Sequence, residues 1–373
     1  MKGIFLLESL EKSGLIELGR GQIISKDEMN SCPGVFPVYS SSAQNNGEFG
    51  KYGKYMFDDE RITWSIDGGG KLFYRKKHKY SVTNVCGWIR VLDKSILSTK
   101  YLYYSLFFQW KQKEFDYTYK AHPSVIKKIY GIKVIPLDEQ IRIVEQLDYI
   151  DNILQTEEGK MPLFNELIKS RFIEMFKTID LSEQKDDWVE IESKSRIITG
   201  TTPSTNDESN WGGNILWITP AEMTKETFYV YDTTRKLTEN GRKSKSLELM
   251  PEGTVLLSTR APIGKVGIVG KPMACNQGFK NFICDSSVNP IFLYVLLKNN
   301  TDYLNSLGSG TTFLEISKTK IGKMKIPVPE IKKQIEFAEF VKLIDKSKFI
   351  VRKEIELLQE LLESKMYEYF GNN

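Results

Sequence analysis

Histidine is nearly absent from this 373-residue chain, with His78 and His122 alone, and cysteine is sparse, with Cys32, Cys86, Cys275 and Cys284. No two cysteines have C-x-x-C spacing, and neither histidine has Cys, Asp or Glu at triad-like spacing. These shortages argue against a structural zinc site, a thiol-redox centre and a His-based catalytic triad. We therefore expect no metal and no catalytic residue, and the scattered cysteines suit a reduced, cytoplasmic setting. Long apolar runs are missing too: none approaches the ~18 residues of a membrane helix. The stretch Gly3 to Leu7 is too short for a signal-peptide core. Nor does charge of one sign dominate, since 52 Lys+Arg stand against 48 Asp+Glu. With 40% apolar and 27% charged residues the usage is ordinary for a globular protein, which excludes disorder and collagen. The length predicts two or three domains.

What is present is an uneven charge and a repeat. Residues 1–136 hold 21 Lys+Arg against 13 Asp+Glu, whereas residues 137–176 hold 4 against 9. A basic block of that size can attract a polyanion through counterion release, or can serve only solubility. The repeat says more. Gln140 to Phe176 aligns without a gap on Gln334 to Phe370 at an offset of 194, with Ile150-Asp151 on Ile344-Asp345 and Phe176 on Phe370. Upstream, Ile135-Pro136 matches Ile326-Pro327, Tyr103 matches Tyr294 and Gly87 matches Gly278, all at offset 191.

Both repeated segments carry an apolar seam that steps by four and three, the period of a coiled coil. In the first it includes Ile143, Leu147, Ile150, Leu154, Phe164 and Ile168; in the second, Phe337, Val341, Ile344, Val351, Ile355, Leu358 and Leu362. Each predicts a helix of about 55 Å at 1.5 Å per residue. Gly159 and Pro162 predict a kink or break in the first helix. A shared register favours antiparallel pairing of the two helices, which would put the two globular halves at opposite ends of a rod. The long segments before them mix short apolar runs with turn signals and then a helical stretch, Leu97 to Phe115 and Asn289 to Leu307. Two α+β domains of related fold are expected.

Catalytic motifs are weak. Asn289-Pro290-Ile291-Phe292 resembles the Asn-Pro-Pro-Phe motif of amino-methyltransferases, but the second Pro is missing and no Gly-rich turn supplies a cofactor site. It is the sole support for the alternative of a stand-alone DNA-modifying methyltransferase. Asp67-Gly68-Gly69-Gly70-Lys71 lacks Walker spacing and reads as a tight turn. Binding chemistry is better represented. Lys71, Arg75 and Lys77 belong to a basic run with Phe73 and Tyr74 inside it; in a strand, Arg75, Lys77 and Lys79 would share one face. The same run could equally be an edge strand blunted by lysines. Arg260 and Lys265 flank a Pro-Ile-Gly turn, Asn276-Gln277 follows, and Lys265 falls on Lys71 in the repeat. Asn and Gln suit adenine in the major groove, Arg and Lys guanine.

Several motifs together resemble the specificity subunit of type I restriction–modification systems. They are Gly200-Thr201-Thr202-Pro203-Ser204-Thr205, Trp211-Gly212-Gly213, Trp217-Ile218-Thr219-Pro220, Leu257-Ser258-Thr259-Arg260, Ile263-Gly264-Lys265 and Asn276-Gln277-Gly278-Phe279. The first half adds Phe36-Pro37-Val38-Tyr39-Ser40-Ser41 and Ile62-Thr63-Trp64-Ser65. Ala261-Pro262 departs from the Gly the family often has after the Arg. The resemblance implies an α+β chain with two similar α/β target-recognition domains, at 1–134 and 179–326, separated by two long antiparallel coiled-coil helices at 135–178 and 327–373, with internal pseudo-two-fold symmetry. Each domain would read half of an asymmetric bipartite target in double-stranded DNA. The helices would set the spacing and dock two methyltransferase subunits and, where the system has one, a restriction subunit. S-adenosylmethionine would sit on the methyltransferase, leaving this chain without a cofactor or catalytic role. Tyr39, Ser40, Lys71, Arg75, Lys77, Thr202, Thr205, Arg260, Lys265, Asn276 and Gln277 are the candidate DNA-binding residues.

Overall fold

The computed structural model describes residues 3–42, 44–113, 120–260, 262–309 and 314–371. The chain forms two compact units, one of Met1–Glu158 with Arg352–Asn373 and one of Gly159–Val351. Each long helix thus contributes part of its length to each unit, a division different from the segment boundaries read from the sequence.

Unit 1 runs β1 (Ile4–Leu6), α1 (Leu7–Lys12), β2 (Ile16–Arg20), α2 (Lys26–Ser31), β3 (Phe36–Tyr39), β4 (Glu48–Tyr52), β5 (Arg61–Ser65), β6 (Leu72–Arg75), β7 (Ser81–Val82), β8 (Cys86–Val91), α3 (Thr99–Gln112), α4 (Pro123–Ile129), β9 (Gly131–Lys133) and the start of α5 (Leu137–Phe176). Unit 2 continues with β10 (Val189–Glu190), β11 (Ser195–Ile198), β12 (Trp211–Ile218), β13 (Tyr229–Val230), β14 (Arg235–Leu237), α6 (Glu239–Ser244), β15 (Val255–Leu257), β16 (Val266–Val269), β17 (Met273–Cys275), β18 (Asn281–Cys284), α7 (Pro290–Asn299), α8 (Thr301–Ser306), α9 (Lys318–Gly322), β19 (Lys325–Ile326) and the start of α10 (Ile331–Phe370).

The two units repeat one topology. The sheet β2-β8-β5-β6 of unit 1 corresponds to β11-β18-β15-β16 of unit 2, which adds β13 at its edge. The sheet β4-β3-β7 corresponds to β14-β12-β17, with one antiparallel and one parallel pairing in each. The antiparallel pair β1-β9 corresponds to β10-β19. Hydrogen bonds fix the register inside this frame. Ser65 N donates to Lys71 O as Ser258 N does to Lys265 O, so the Lys71–Lys265 match holds. Gly70 and Gly264, just before these lysines, both sit at positive φ, 74° and 89°, where a side chain would be strained. Further on, Ile66 N meets Val85 O as Thr259 N meets Gly278 O. Gly278 therefore stands where Val85 does, and the sequence match with Gly87 is two residues out of register.

Continuous apolar strands follow from burial on both faces. In β15, Val255 and Leu257 join the core under α7, while Leu256 joins a second core with Ile218 and Phe279. The helical stretch expected from Asn289 to Leu307 is two helices. Buried Asn300 separates them: its Oδ1 accepts from Leu181 N (2.8 Å), and its Nδ2 donates to Ile179 O and Leu296 O. A side chain that bonds the backbone in this way competes with helix continuation. The other expected helix ends at Gln112, and its predicted last residues, 114 and 115, lie outside the described residues, as does Ala261.

The long helices have 40 residues each, about 60 Å at 1.5 Å per residue. Of the kink or break expected at Gly159 and Pro162, the break does not form: α5 passes through both as helix. In unit 2 the helices pair antiparallel. Asn165 receives a hydrogen bond from Lys348 Nζ (2.5 Å), and one helical turn and a half later Arg171 pairs with Glu336 (2.9 Å). In unit 1, Tyr369 OH donates to Gln146 Oε1, and Met366 and Phe370 share a core with Ile143 and Leu147. Ile143, Leu147, Ile150, Leu154, Phe337, Val341 and Val351 are buried, while Phe164, Ile168, Ile344, Ile355, Leu358 and Leu362 are half-buried. At the ends the seam slips by one residue, to Phe172 and Phe176 in α5 and to Met366 and Phe370 in α10. These pairs are equivalent in the repeat. The 3.6-residue helix drifts off a 3.5-residue repeat where it packs on a globular core rather than only on its partner helix.

Candidate nucleic-acid interface

In unit 2 the loops that leave β12, β15 and β17 line one cleft, with Thr219, Pro220, Arg260, Asn276 and Gln277 facing it. The parallel pairing of β12 and β17 brings two of these loops side by side. Asn276 N donates to Ile218 O (3.1 Å), and its Oδ1 accepts from Gly278 N (2.9 Å), which holds the turn and leaves Gln277 exposed. Thr202 Oγ1 donates to Gln277 Oε1 (2.9 Å). The Gly200-Thr201 segment reaches this place because Gly200 crosses the backbone at Cys275, where a Cβ would lie 1.7 Å from the carbonyl oxygen. Arg260 Nη2 pairs with Glu315 Oε2 (2.9 Å) and its side chain stays 45% exposed. Lys265 braces the cleft from behind, with Nζ donating to Pro220 O (2.8 Å). Of the six candidates in this half, five gather here; Thr205 lies in the exposed turn at 205–206, away from the cleft lining.

Unit 1 builds the same frame with other side chains. Thr83 N donates to Tyr39 O as Asn276 N does to Ile218 O, and Ala121 N donates to Ile66 O as Ile316 N does to Thr259 O. Ser40, Asp67, Thr83 and Asn84 therefore occupy the places of Thr219, Arg260, Asn276 and Gln277. Thr83 Oγ1 donates to Ser40 Oγ (2.8 Å), so the expected Ser40 does belong to this surface. Asp67 and Asn84 were not picked out by sequence reasoning. The register of backbone hydrogen bonds aligns them with Arg260 and Gln277; Asn84 keeps the carboxamide of Gln277, whereas Asp67 and Arg260 carry opposite charges.

The basic run 71–79 is not one charged strand face. β6 ends at Arg75, and Lys77 and Lys79 lie exposed beyond it. Arg75 is only 2% exposed. Its guanidinium stacks 3.6 Å from the Tyr39 ring centroid and 4.7 Å from that of Phe73, and its Nε donates to Thr63 Oγ1 (2.9 Å). Burial pulls Arg75 down from its ordinary pKa and pushes the Tyr39 hydroxyl up. A cation in such an aromatic sandwich holds β3 against β6. Lys71 is half-buried, with its ammonium 5.4 Å from the Phe73 ring.

The motif at 289–292 is a helix start. Asn289 Oδ1 accepts from Ile291 N (2.9 Å), Pro290 occupies the first turn, and Phe292 is wholly buried against Phe172 and Phe176. A methyltransferase needs those side chains in an open cleft, so the motif lends the alternative no support. Among the described residues no group of three or more His, Cys, Asp and Glu is placed to hold a metal, and no helix is long and apolar enough to cross a membrane.

The family model described as "Type I restriction modification DNA specificity domain" matches residues 8–162 and 185–361. The chain belongs to that family. Two matched stretches agree with the two units of repeated topology. The specificity subunit of the type I restriction enzyme MjaIX from Methanocaldococcus jannaschii is 34% identical over 200 residues, 52% of this chain and 46% of its own length. The chain thus spans about half the length of that relative. A Mycoplasma pneumoniae protein named for the same role, S.MpnORF507P, is 24% identical over 96% of both chains. The crystal structure of a type I restriction–modification system S subunit from M. genitalium matches the fold with a TM-score of 0.66 at 16% identity, over 99% of this chain and 96% of that one.

The specificity-domain chain also displays a second repeated surface. Ile141, Tyr149, Leu163, Leu167 and Ile173 on α5 are exposed, and so are Ile335, Leu343, Leu357, Leu361 and Tyr367 on α10, each at the offset of 194. Each unit thereby presents the same five apolar positions, Ile141, Tyr149, Leu357, Leu361 and Tyr367 in unit 1, and Leu163, Leu167, Ile173, Ile335 and Leu343 in unit 2.

Proposed function

We propose that this chain is the DNA sequence-recognition subunit of a type I restriction–modification complex. Each unit reads one half of an asymmetric bipartite target in double-stranded DNA, and the long helices set the spacing. One observation carries the reading: the two units share a sheet topology and four equivalent backbone hydrogen bonds around this surface, yet the place of Arg260 on one is taken by Asp67 on the other, and that of Asn276 by Thr83. Frames that agree while their surface side chains differ suit two readers of unlike half-sites. The repeated apolar positions on the helices suit two copies of one partner, the methyltransferase subunit, with a restriction subunit joining where the system has one. S-adenosylmethionine belongs to the methyltransferase, and this chain contributes binding rather than catalysis.

Selection of random-sequence duplexes by the assembled methyltransferase complex tests this. A bipartite motif with an unread gap is expected. Replacing residues 1–134 with the corresponding domain of another such subunit should change one half of the motif and leave the other. A single contiguous motif, or a swap that alters both halves, refutes the proposal.

A further inference from the structure

The cleft position held by Arg260 in unit 2 is held by Asp67 in unit 1, and each carries its own counter-ion from the equivalent neighbouring segment. Arg260 pairs with Glu315 at 2.9 Å, and Asp67 pairs with Lys120 at 3.9 Å. The ion pair is thus retained between the units with its polarity reversed. The frame around it is the same. Ile316, next to Glu315, bonds Thr259 O, and Ala121, next to Lys120, bonds Ile66 O. Both Arg260 and Asp67 are open to solvent, 45% and 40%, although the counter-ion of Asp67, Lys120, is more exposed still at 79%. Glu315 is also held by Lys280, whose side chain is 7% exposed, at 3.4 Å. Glu315 is therefore anchored from the protein side, and Arg260 is the outward member of its pair.

A guanidinium offers only donors, and a carboxylate only acceptors. In the major groove guanine presents the acceptors O6 and N7, while cytosine presents the N4 amino donor. One backbone position with opposite charges in two equivalent readers therefore favours opposite orientations of a G·C pair in the two half-sites. We propose that this position determines specificity in both half-sites: Arg260 reads a guanine in the half-site of unit 2, and Asp67 reads a cytosine amino group in the half-site of unit 1. This rests on the DNA-reading function proposed above and adds to it a residue-level source of the target's asymmetry. Glu315, held in turn by Lys280, is a positioning residue that orients Arg260, whereas Lys120 is a loosely paired, exposed counter-ion of Asp67.

The test is duplex selection and sequencing with the assembled complex, comparing wild type, Asp67→Asn, Arg260→Gln and Arg260→Ala. Each alters only an exposed side chain, and both Arg260 variants leave Glu315 paired with buried Lys280, so they should fold; thermal unfolding checks each. In the Arg260 variants one guanine of one half-site should lose its preference, with discrimination falling roughly 5- to 150-fold at that base. The other half-site should be unchanged. Asp67→Asn should relax one cytosine in the other half-site only. The inference is overturned if wild type selects a bipartite motif that every variant preserves, or if the sensitive bases are not guanine and cytosine. Uniform weakening across all sequences with a shallower salt slope overturns it too, since that is the signature of a phosphate contact. Failure of wild type to select any bipartite motif would instead strike the functional proposal itself.

Discussion

Gln140 in unit 1 and Gln334 in unit 2 make the same three hydrogen bonds, and both are wholly buried. Gln140 Oε1 accepts from Ser98 N (2.9 Å), and its Nε2 donates to Ile96 O and Ile135 O (both 2.8 Å). Gln334 Oε1 accepts from Asn289 N (2.8 Å), and its Nε2 donates to Ser287 O (3.0 Å) and Pro329 O (2.7 Å). Each glutamine thus ties the first turn of a long helix to the loop that opens the helix under the sheet. Substitution by Ala leaves three backbone groups unpaired in a dry site. Gln140→Ala or Gln334→Ala should each cost on the order of 2–4 kcal/mol, read as a lower urea midpoint.

Phe172 joins α5 to the core of unit 2. Its ring stacks on Phe292 (5.7 Å between centroids, 20° between planes) and meets Phe337 edge-on at 5.4 Å. Phe172→Ala should destabilise by about 3–5 kcal/mol, whereas Ile173→Ala beside it, on the exposed face, should change stability little. Equal losses in thermal unfolding would contradict this packing.

Burial raises the pKa of Asp151 above the ordinary carboxylate range, against the opposing hydrogen bond from Gln155 (2.6 Å) and the charge of Lys100. The folded state therefore holds this proton more tightly than the unfolded chain. Asp151 contributes nothing unfavourable below the ordinary carboxylate pKa, and it lowers stability as pH rises through its folded pKa. Asp151→Asn should consequently gain stability relative to wild type at neutral pH, and the gain should vanish near pH 3. Denaturation midpoints at several pH values give the comparison.

Burial pushes the thiols of Cys86, Cys275 and Cys284 up to about 12. At pH 8 about one such thiol in ten thousand is ionised, and the thiolate is the reactive form. Iodoacetamide should leave these three unmodified in the folded protein and label them in denaturant, as mass spectrometry of the peptides would report. Rapid labelling of Cys275 in the folded state would rule out its placement beneath Gly200.

Leu167 and Leu361 are exposed equivalents, 46% and 45% accessible, one in each unit. On the proposed docking of one methyltransferase subunit at each of these two equivalent places, a charge at one of them should remove one partner and spare the other. Leu167→Glu or Leu361→Glu should lower the number of bound methyltransferase subunits from two towards one, measured by mass of the complex, without altering thermal stability. No change in stoichiometry with either variant would argue that partners dock elsewhere.

The helices and the duplication were legible because they are local and periodic. Ile143, Leu147, Phe337 and Val341 announce a buried stripe by spacing alone, and the gapless offset of 194 needs no coordinates. The basic run 71–79 was legible only in part: β6 is an edge strand, as one of its two readings expected, but the direction of Arg75 was not. Alternating charge looks like an exposed face, yet Arg75 turns inward because Tyr39, brought alongside from β3, supplies an aromatic ring for its cation. Pro162 does not break α5, since a long helix with packed flanks tolerates one missing hydrogen bond.

By itself the sequence determined that the chain is doubled, that each copy ends in a long amphipathic helix, and that its motifs resemble those of DNA-reading subunits. These follow from residue order, which periodicity and self-alignment expose directly. Only the tertiary structure decided which residues share a surface. Ser40 and Thr219 correspond because the β3–β7 and β12–β17 pairings place them in one frame, and Asp67 and Arg260 because Ile66 and Thr259 make the same backbone bonds, to Val85 and Gly278 and from Ala121 and Ile316. That correspondence is set by pairings between segments far apart in the chain, and no local pattern of side chains encodes it.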